Sequence, residues 1–218
     1  DIFISLTHFK GHESTGFGGT LKNIGMGCGS RAGKMEMHNA GKPHVAQDTC
    51  VGCHACEKIC AHGAISFQEK KASIDHNRCV GCGRCVGVCP VDAVETDCDE
   101  SNDILNCKIA EYTYAVVKDR PCFHISLVTD VSPNCDCHSE NDIPNVGMFA
   151  FFDPVALDMA WVDAVNRQPV IAGSILEKHG SKHHDHFTDV HPDTNWKTAV
   201  EHGVKIGLGN KEYELIKI

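Results

Sequence analysis

Eight of the 14 cysteines in this 218-residue chain fall between Cys50 and Cys89, so a fifth of that stretch is thiol. A density that high needs a chemical explanation. Disulfides supply a poor one: the first residues lack the charged and apolar regions of a signal peptide, and without export to an oxidising compartment structural disulfides are rare. Metal ligation is the better expectation.

The spacing is specific. Cys50, Cys53, Cys56 and Cys60 form C-x2-C-x2-C-x3-C, and Cys79, Cys82, Cys85 and Cys89 repeat it 29 residues later, with Pro90 following. This is the pattern of bacterial two-cluster ferredoxins, in which the fourth cysteine of each run ligates the other cluster. Cluster one is therefore expected on Cys50, Cys53, Cys56 and Cys89, and cluster two on Cys79, Cys82, Cys85 and Cys60. Three thiolates on a tightly curled loop reach three corners of a 4Fe-4S cube, while the fourth, on the helical turn that follows, points back to the partner cube. Gly52, Gly81 and Gly83 suit such loops, where backbone closes around sulfur and donates N-H groups to it. Zinc sites use paired C-x2-C motifs across a spacer and fit this doubled run poorly. One departure is Ala61, where ferredoxins usually carry proline. Between the runs, Ala64 to Phe67 and Ala72 to Asp75 read as short strands around a polar turn at Glu69 to Lys71, and Val91 to Val94 restarts the pattern.

The flanks have another character. Apolar spacing and cap signals predict strands over 2–7, 122–129, 148–152 and 212–218, and helices over 19–26, 104–117, 154–166 and 195–205. Asp153-Pro154 is a cap-then-proline helix start. Such alternation reads as an α/β domain, with residues 1–47 its first part, a two-cluster ferredoxin module (α+β) inserted over 48–98, and 99–218 its second part. Because Ile2, Ile4 and Leu6 already read as a strand and residue 1 is Asp, the sequence is expected to begin inside a domain, truncated at its N-terminal side.

A second constellation lies in the polar segments after two predicted strands, where open α/β sheets bind ligands. It comprises Lys10, His12, Lys22, Cys28 and Arg31 near the N-terminus, and Cys135, Asp136, Cys137 and His138 later. Three readings stay open. Cys28, Cys135 and Cys137, with His12 or His138, could hold an additional metal or cluster; Lys10, Lys22 and Arg31 could face an anionic substrate beside the Gly16 to Gly19 turn, with Lys10, His12 and Asp136 as catalytic candidates; or the segment could be glycine turns with buried free thiols. Cys98, Cys107 and Cys122 are isolated and read as packing or surface thiols. His179, His183, His184, His186 and His191 read as a solvated loop. The Gly16 to Gly19 run lacks the order of a P-loop, and no G-x-S-x-G elbow is present.

The segments His8 to His12, Thr15 to Gly19, Leu21 to Asn23, Gly25 to Cys28, Ser30 to Lys34, Asp130 to Cys137, Asn141 to Pro144, Asp153 to Asp158, Ile206 to Gly209 and Tyr213 to Ile216 together resemble a bacterial and archaeal family of iron-sulfur centre proteins that join a domain of unknown function to an inserted ferredoxin module. The resemblance implies two 4Fe-4S clusters, an α/β domain around the module and a redox setting typical of anaerobic metabolism. It also implies a further N-terminal portion, and it brings no substrate.

Net charge bounds the partners. At -9, with no Lys/Arg cluster, the chain lacks the means to neutralise phosphates, so no nucleic acid is expected. No run of about 20 apolar residues predicts membrane insertion. The expected function is an electron-transfer protein of the cytoplasm, passing electrons to a redox partner protein or to a site in the α/β domain, with oligomerisation open. The alternatives are an oxidoreductase acting near Lys10, His12, Cys28, Cys135 and Cys137, and a non-enzymatic redox sensor.

Overall fold

Alternating apolar residues at the start of the chain do form a strand, and the helices expected from apolar spacing form within a few residues of their predicted limits. A computed structural model describes residues 1–38, 42–95, 102–134, 141–180 and 184–218. In chain order the elements begin with β1 (Phe3–His8), β2 (Lys10–His12), β3 (Gly16–Gly18), α1 (Thr20–Gly25), α2 (Arg31–His38), β4 (His44–Val45), α3 (Ala55–Ile59), β5 (Ile65–Gln68) and β6 (Lys71–Ile74). They continue with α4 (Arg84–Gly87), β7 (Val94–Glu95), α5 (Asn102–Val117), β8 (Cys122–Val128), β9 (Gly147–Phe151), α6 (Pro154–Asn166), α7 (Ile175–His179), α8 (His186–Val190) and α9 (Lys197–Lys205). Two compact units result. The larger comprises Asp1–Cys28 with Asn102–Ile218, and the smaller Gly29–Ser101.

The larger unit is a mixed α/β structure on a three-stranded sheet of order β1-β8-β9, with β1 parallel and β9 antiparallel to β8. α1 packs on β1, and α6 on β8 and β9. Asp153 starts α6 by accepting from the amides of Val155 (2.8 Å) and Ala156 (3.1 Å), with Pro154 preset for the first turn. The core is aromatic. Phe9, Phe17, Trp161, Phe187 and Trp196 are all buried, with Phe9 and Trp161 ring centroids 4.0 Å apart and Phe17 edge-on to Trp161 at 4.6 Å. Gly19 permits this packing, because a Cβ there would lie 2.1 Å from Trp161 Cζ2.

Three expectations are corrected. Residues 10–18 are not an open polar loop but the β2-β3 hairpin, its two strands buried and Glu13 at the turn exposed; Gly11 donates its amide to Ser132 O at 2.8 Å, and no side chain fits there because a Cβ would sit 1.9 Å from Pro133 O. The histidine-rich stretch contributes α7 and α8, capped by Ser174 and Asp185, and His186 is buried with Nε2 donating to Gln168 O (3.1 Å). His183 lies outside the described residues. Finally, 212–218 pairs with no strand among the described residues, and its Leu215, Ile216 and Ile218 are exposed.

The covered face of the sheet carries a polar cluster. Ser5 and Thr7 of β1 oppose His124 and Ser126 of β8, all four buried, and Ser5 Oγ lies 2.8 Å from His124 Nδ1. Burial depresses His124 to about 4, against a smaller upward pull from Asp153. A folded value below the unfolded 6.5 means stability is fully present above pH 6.5 and is lost as pH falls toward 4, by about 3 kcal/mol. His124→Gln removes that dependence. The wild-type minus variant difference in urea stability is therefore expected to shrink by about this amount between pH 7 and pH 4; a difference independent of pH would contradict the assignment.

Candidate functional site

The smaller unit is built twice over. β5 pairs antiparallel with β6, and β4 with β7, which lie one 29-residue period away from β6 and β5 respectively. The backbone follows the repeat in detail. Gly52 and Gly81 have φ of 67° and 71°, His54 and Gly83 of 63° and 65°, and Gly63 and Asp92 of 55° and 50°. Left-handed conformations at matching places curl each loop and start α3 and α4 at the third cysteine of each run. His54 adopts this conformation with a bulky side chain, whose ring stacks on Phe67 at 3.7 Å and whose Nδ1 lies 2.8 Å from Glu57 Oε2. At Gly83 the space is taken by Met35 of α2.

This folding distributes the cysteines crosswise. One cavity is lined by Cys50, Cys53, Cys56 and Cys89 together with Phe67, Ala72 and Val94. The other is lined by Cys60, Cys79, Cys82 and Cys85 with Ile65, Ile74 and Pro43. Each thus draws three cysteines from one run and the fourth from the other. The apolar lining belongs to the unit's own core, in which Cys50, Cys56, Ile65, Ala72, Cys85, Ala93 and Val94 are buried.

Backbone amides point at the sulfurs. Ala64 N donates to Cys60 Sγ at 3.4 Å, and its counterpart Ala93 N to Cys89 Sγ at 3.2 Å; Gly81 N reaches Cys79 Sγ at 3.5 Å. The amide of Ala72, then that of Gly52 and the charge of Lys71, draw the Cys50 thiol below its ordinary pKa, while Lys71 Nζ also donates to Cys50 O at 2.6 Å. Burial pushes Cys56 up and Cys85 up to about 11, opposed by the amides of Glu57 and Val86. Among the described residues no three His, Cys, Asp or Glu side chains converge on one point as ligands of a single ion. The two sets instead ring cavities, an arrangement suited to a group with several metal atoms and a thiolate at each corner. By donor chemistry, backbone amides and cavity lining, the residues fit such a group.

The second constellation fares differently. Cys135, Asp136, Cys137 and His138 lie outside the described residues. Lys10 is buried in β2, its Nζ donating to Asn23 Oδ1 (3.1 Å) and His8 O (3.3 Å); His12, also buried, accepts from Ser14 N at 3.1 Å through Nδ1. Cys28 is exposed. The amides of Thr20 and Leu21, which an anion at the glycine turn would need, are already taken by the Asp158 carboxylate at 2.7 and 3.0 Å. Those two amides are therefore not available to an anion. Arg31, on α2, belongs to the smaller unit.

Sequence reasoning named the cysteines and missed their supports. Ala64 and Ala93, His54, Phe67 and Lys71 carry much of the local geometry. A signal was present for the alanines: each sits four residues after the last cysteine of its run, where a small side chain lets the amide approach sulfur.

Among the described residues no helix is long and apolar enough to cross a membrane. No curated protein matches the chain. A family model described as a domain of unknown function, DUF362, matches residues 1–163, and with three quarters of its 218 residues inside that match the chain belongs to this family.

Proposed function

We propose that the protein is an iron-sulfur electron-transfer protein whose smaller unit is a ferredoxin module holding two 4Fe-4S clusters. The observation that carries this reading is the crosswise grouping of the cysteines, Cys50, Cys53, Cys56 and Cys89 around one cavity and Cys60, Cys79, Cys82 and Cys85 around the other. Spacing alone led to the same two sets. The clusters, when bound, supply reversible one-electron chemistry.

The chain's own residues tune and shield that chemistry. A cube with four thiolates carries roughly two negative charges when oxidised and one more when reduced, so amides aimed at sulfur offset charge where it accumulates. Ala64, Ala72, Gly81 and Ala93 take that role. Ile65, Phe67, Ala72 and Val94 keep water from the cavity walls. Lys71 pins the backbone of Cys50 and places a positive charge beside it. Exposed Cys53 leaves one corner accessible to a redox partner.

Anaerobic reconstitution followed by iron and sulfide analysis is expected to give about eight of each per chain, with cubane EPR signals on reduction. Zinc in place of iron, or a cubane signal that survives Cys53→Ala combined with Cys82→Ala, would remove the reading.

A further inference from the structure

The sheet of the larger unit wears its polarity inside out. Strands with one wet face normally alternate apolar residues toward the core and polar residues toward water. Here Ser5, Thr7, His124 and Ser126 share the buried face with Phe3, Val128 and Phe149, and the opposite face is apolar across all three strands but for His8. Ile4 and Leu6 of β1 are 65% and 69% exposed, and Met148 and Phe152 beside β8 are 67% and 70% exposed. Phe123, Ile125 and Leu127 lie between them on β8, with Phe123 packed edge-on to Phe152 at 5.1 Å. Arg120, Asp153 and Glu212 stand beside Phe123 and Phe152 at one end of this surface. Apolar patches of such extent mark interaction sites.

We propose that this face packs against the same face of a second copy of the chain, the two sheets stacking as a sandwich about a twofold axis. The four most open side chains alone present on the order of 500 Å², and with the three from β8 the patch approaches the roughly 800 Å² per partner of a standard interface. A uniform apolar surface is complementary to itself, as an isologous contact requires. Stacked sheets bury such residues between layers about 10 Å apart. This inference is independent of the clusters.

Sedimentation equilibrium of the full chain, kept anaerobic, is expected to return twice the 23.7 kDa monomer mass. Leu6→Glu combined with Phe152→Glu places unpaired charges in the contact and is expected to weaken association at least about 100-fold, with circular dichroism and iron content unchanged. A wild-type monomer at 100 µM, or a dimer indifferent to the double variant, overturns the proposal. Should the variant misfold, radical footprinting of the wild type decides: protection of Met148 that grows with protein concentration supports a second copy. Uniform protection, from further chain or a different partner, or none at all, refutes it.

Discussion

Asp158→Ala is expected to lower the unfolding free energy of the larger unit by about 3 to 5 kcal/mol, the cost of stranding several buried donors around a deleted carboxylate. Asp158 is fully buried on α6 and accepts from Thr20 N at 2.7 Å, Leu21 N at 3.0 Å and Trp161 Nε1 at 3.1 Å. It thereby caps α1 from another element and fixes the indole at the centre of the aromatic core. Without it, two amides at the start of a six-residue helix have no acceptor, and so short a helix has little stability of its own. Both tryptophans are buried in this unit, so fluorescence during urea unfolding reports on it directly. The pH dependence adds a second check. Burial raises the Asp158 carboxyl to about 6 despite its donors. Because that folded value exceeds the unfolded 3.8, the group's contribution is greatest below about pH 4 and falls as pH rises to about 6. The deficit of the alanine variant should accordingly widen on acidification, the opposite sign to His124→Gln. An effect below about 1 kcal/mol would show that the carboxylate is not the keystone of this corner.

What was legible in the sequence depended on how local its cause was. The cysteine runs announce themselves because one residue type recurs at fixed spacing, and the 29-residue period carries straight into the backbone angles at Gly52 and Gly81. α5 and α6 were readable from apolar spacing and from the Asp153-Pro154 cap, both properties of consecutive residues. Where the cause is tertiary, the reading failed. The β2-β3 hairpin looked like a polar loop because its lysine, histidine and glycines are buried by elements more than a hundred residues away, with Gly11 against Pro133 and Gly16 beside Trp196. Likewise, nothing local to the glycines and lysines near the start of α1 reveals that Asp158 occupies the amides of Thr20 and Leu21. Residues 212–218 alternate well enough to suggest a strand, yet a strand requires a neighbour, and none of the three in the sheet is adjacent to them. Ile2, Ile4 and Leu6 were rightly read as a strand, but alternation does not say which face is inward. In this sheet the apolar side is the open one.

The sharpest test of the cofactor reading lies in pairs of cysteine changes, because crosswise and run-by-run ligation predict opposite results. If the cavities define the ligand sets, Cys53→Ala with Cys89→Ala injures one cluster twice, and the other keeps Cys60, Cys79, Cys82 and Cys85. Reconstituted protein is then expected to hold about four irons and an ordinary cubane signal. Cys53→Ala with Cys60→Ala takes one ligand from each cavity, and iron is expected to fall close to zero with the cubane signal lost. Were each run to hold its own cluster, the pattern would invert: the Cys53 and Cys60 pair would spare four irons and the Cys53 and Cys89 pair would spare none. The comparison is calibrated by the single variant Cys53→Ala, which leaves one cavity with three thiolates under either scheme and is expected to hold about four irons. Cys60 and Cys89 are also related by the repeat, each half-buried and each accepting one amide, from Ala64 or Ala93, so nonspecific damage to the fold should be similar in both. Equal iron in the two double variants would leave neither ligation scheme standing. With that control in hand, a clear difference tells which cavity Cys60 and Cys89 each serve.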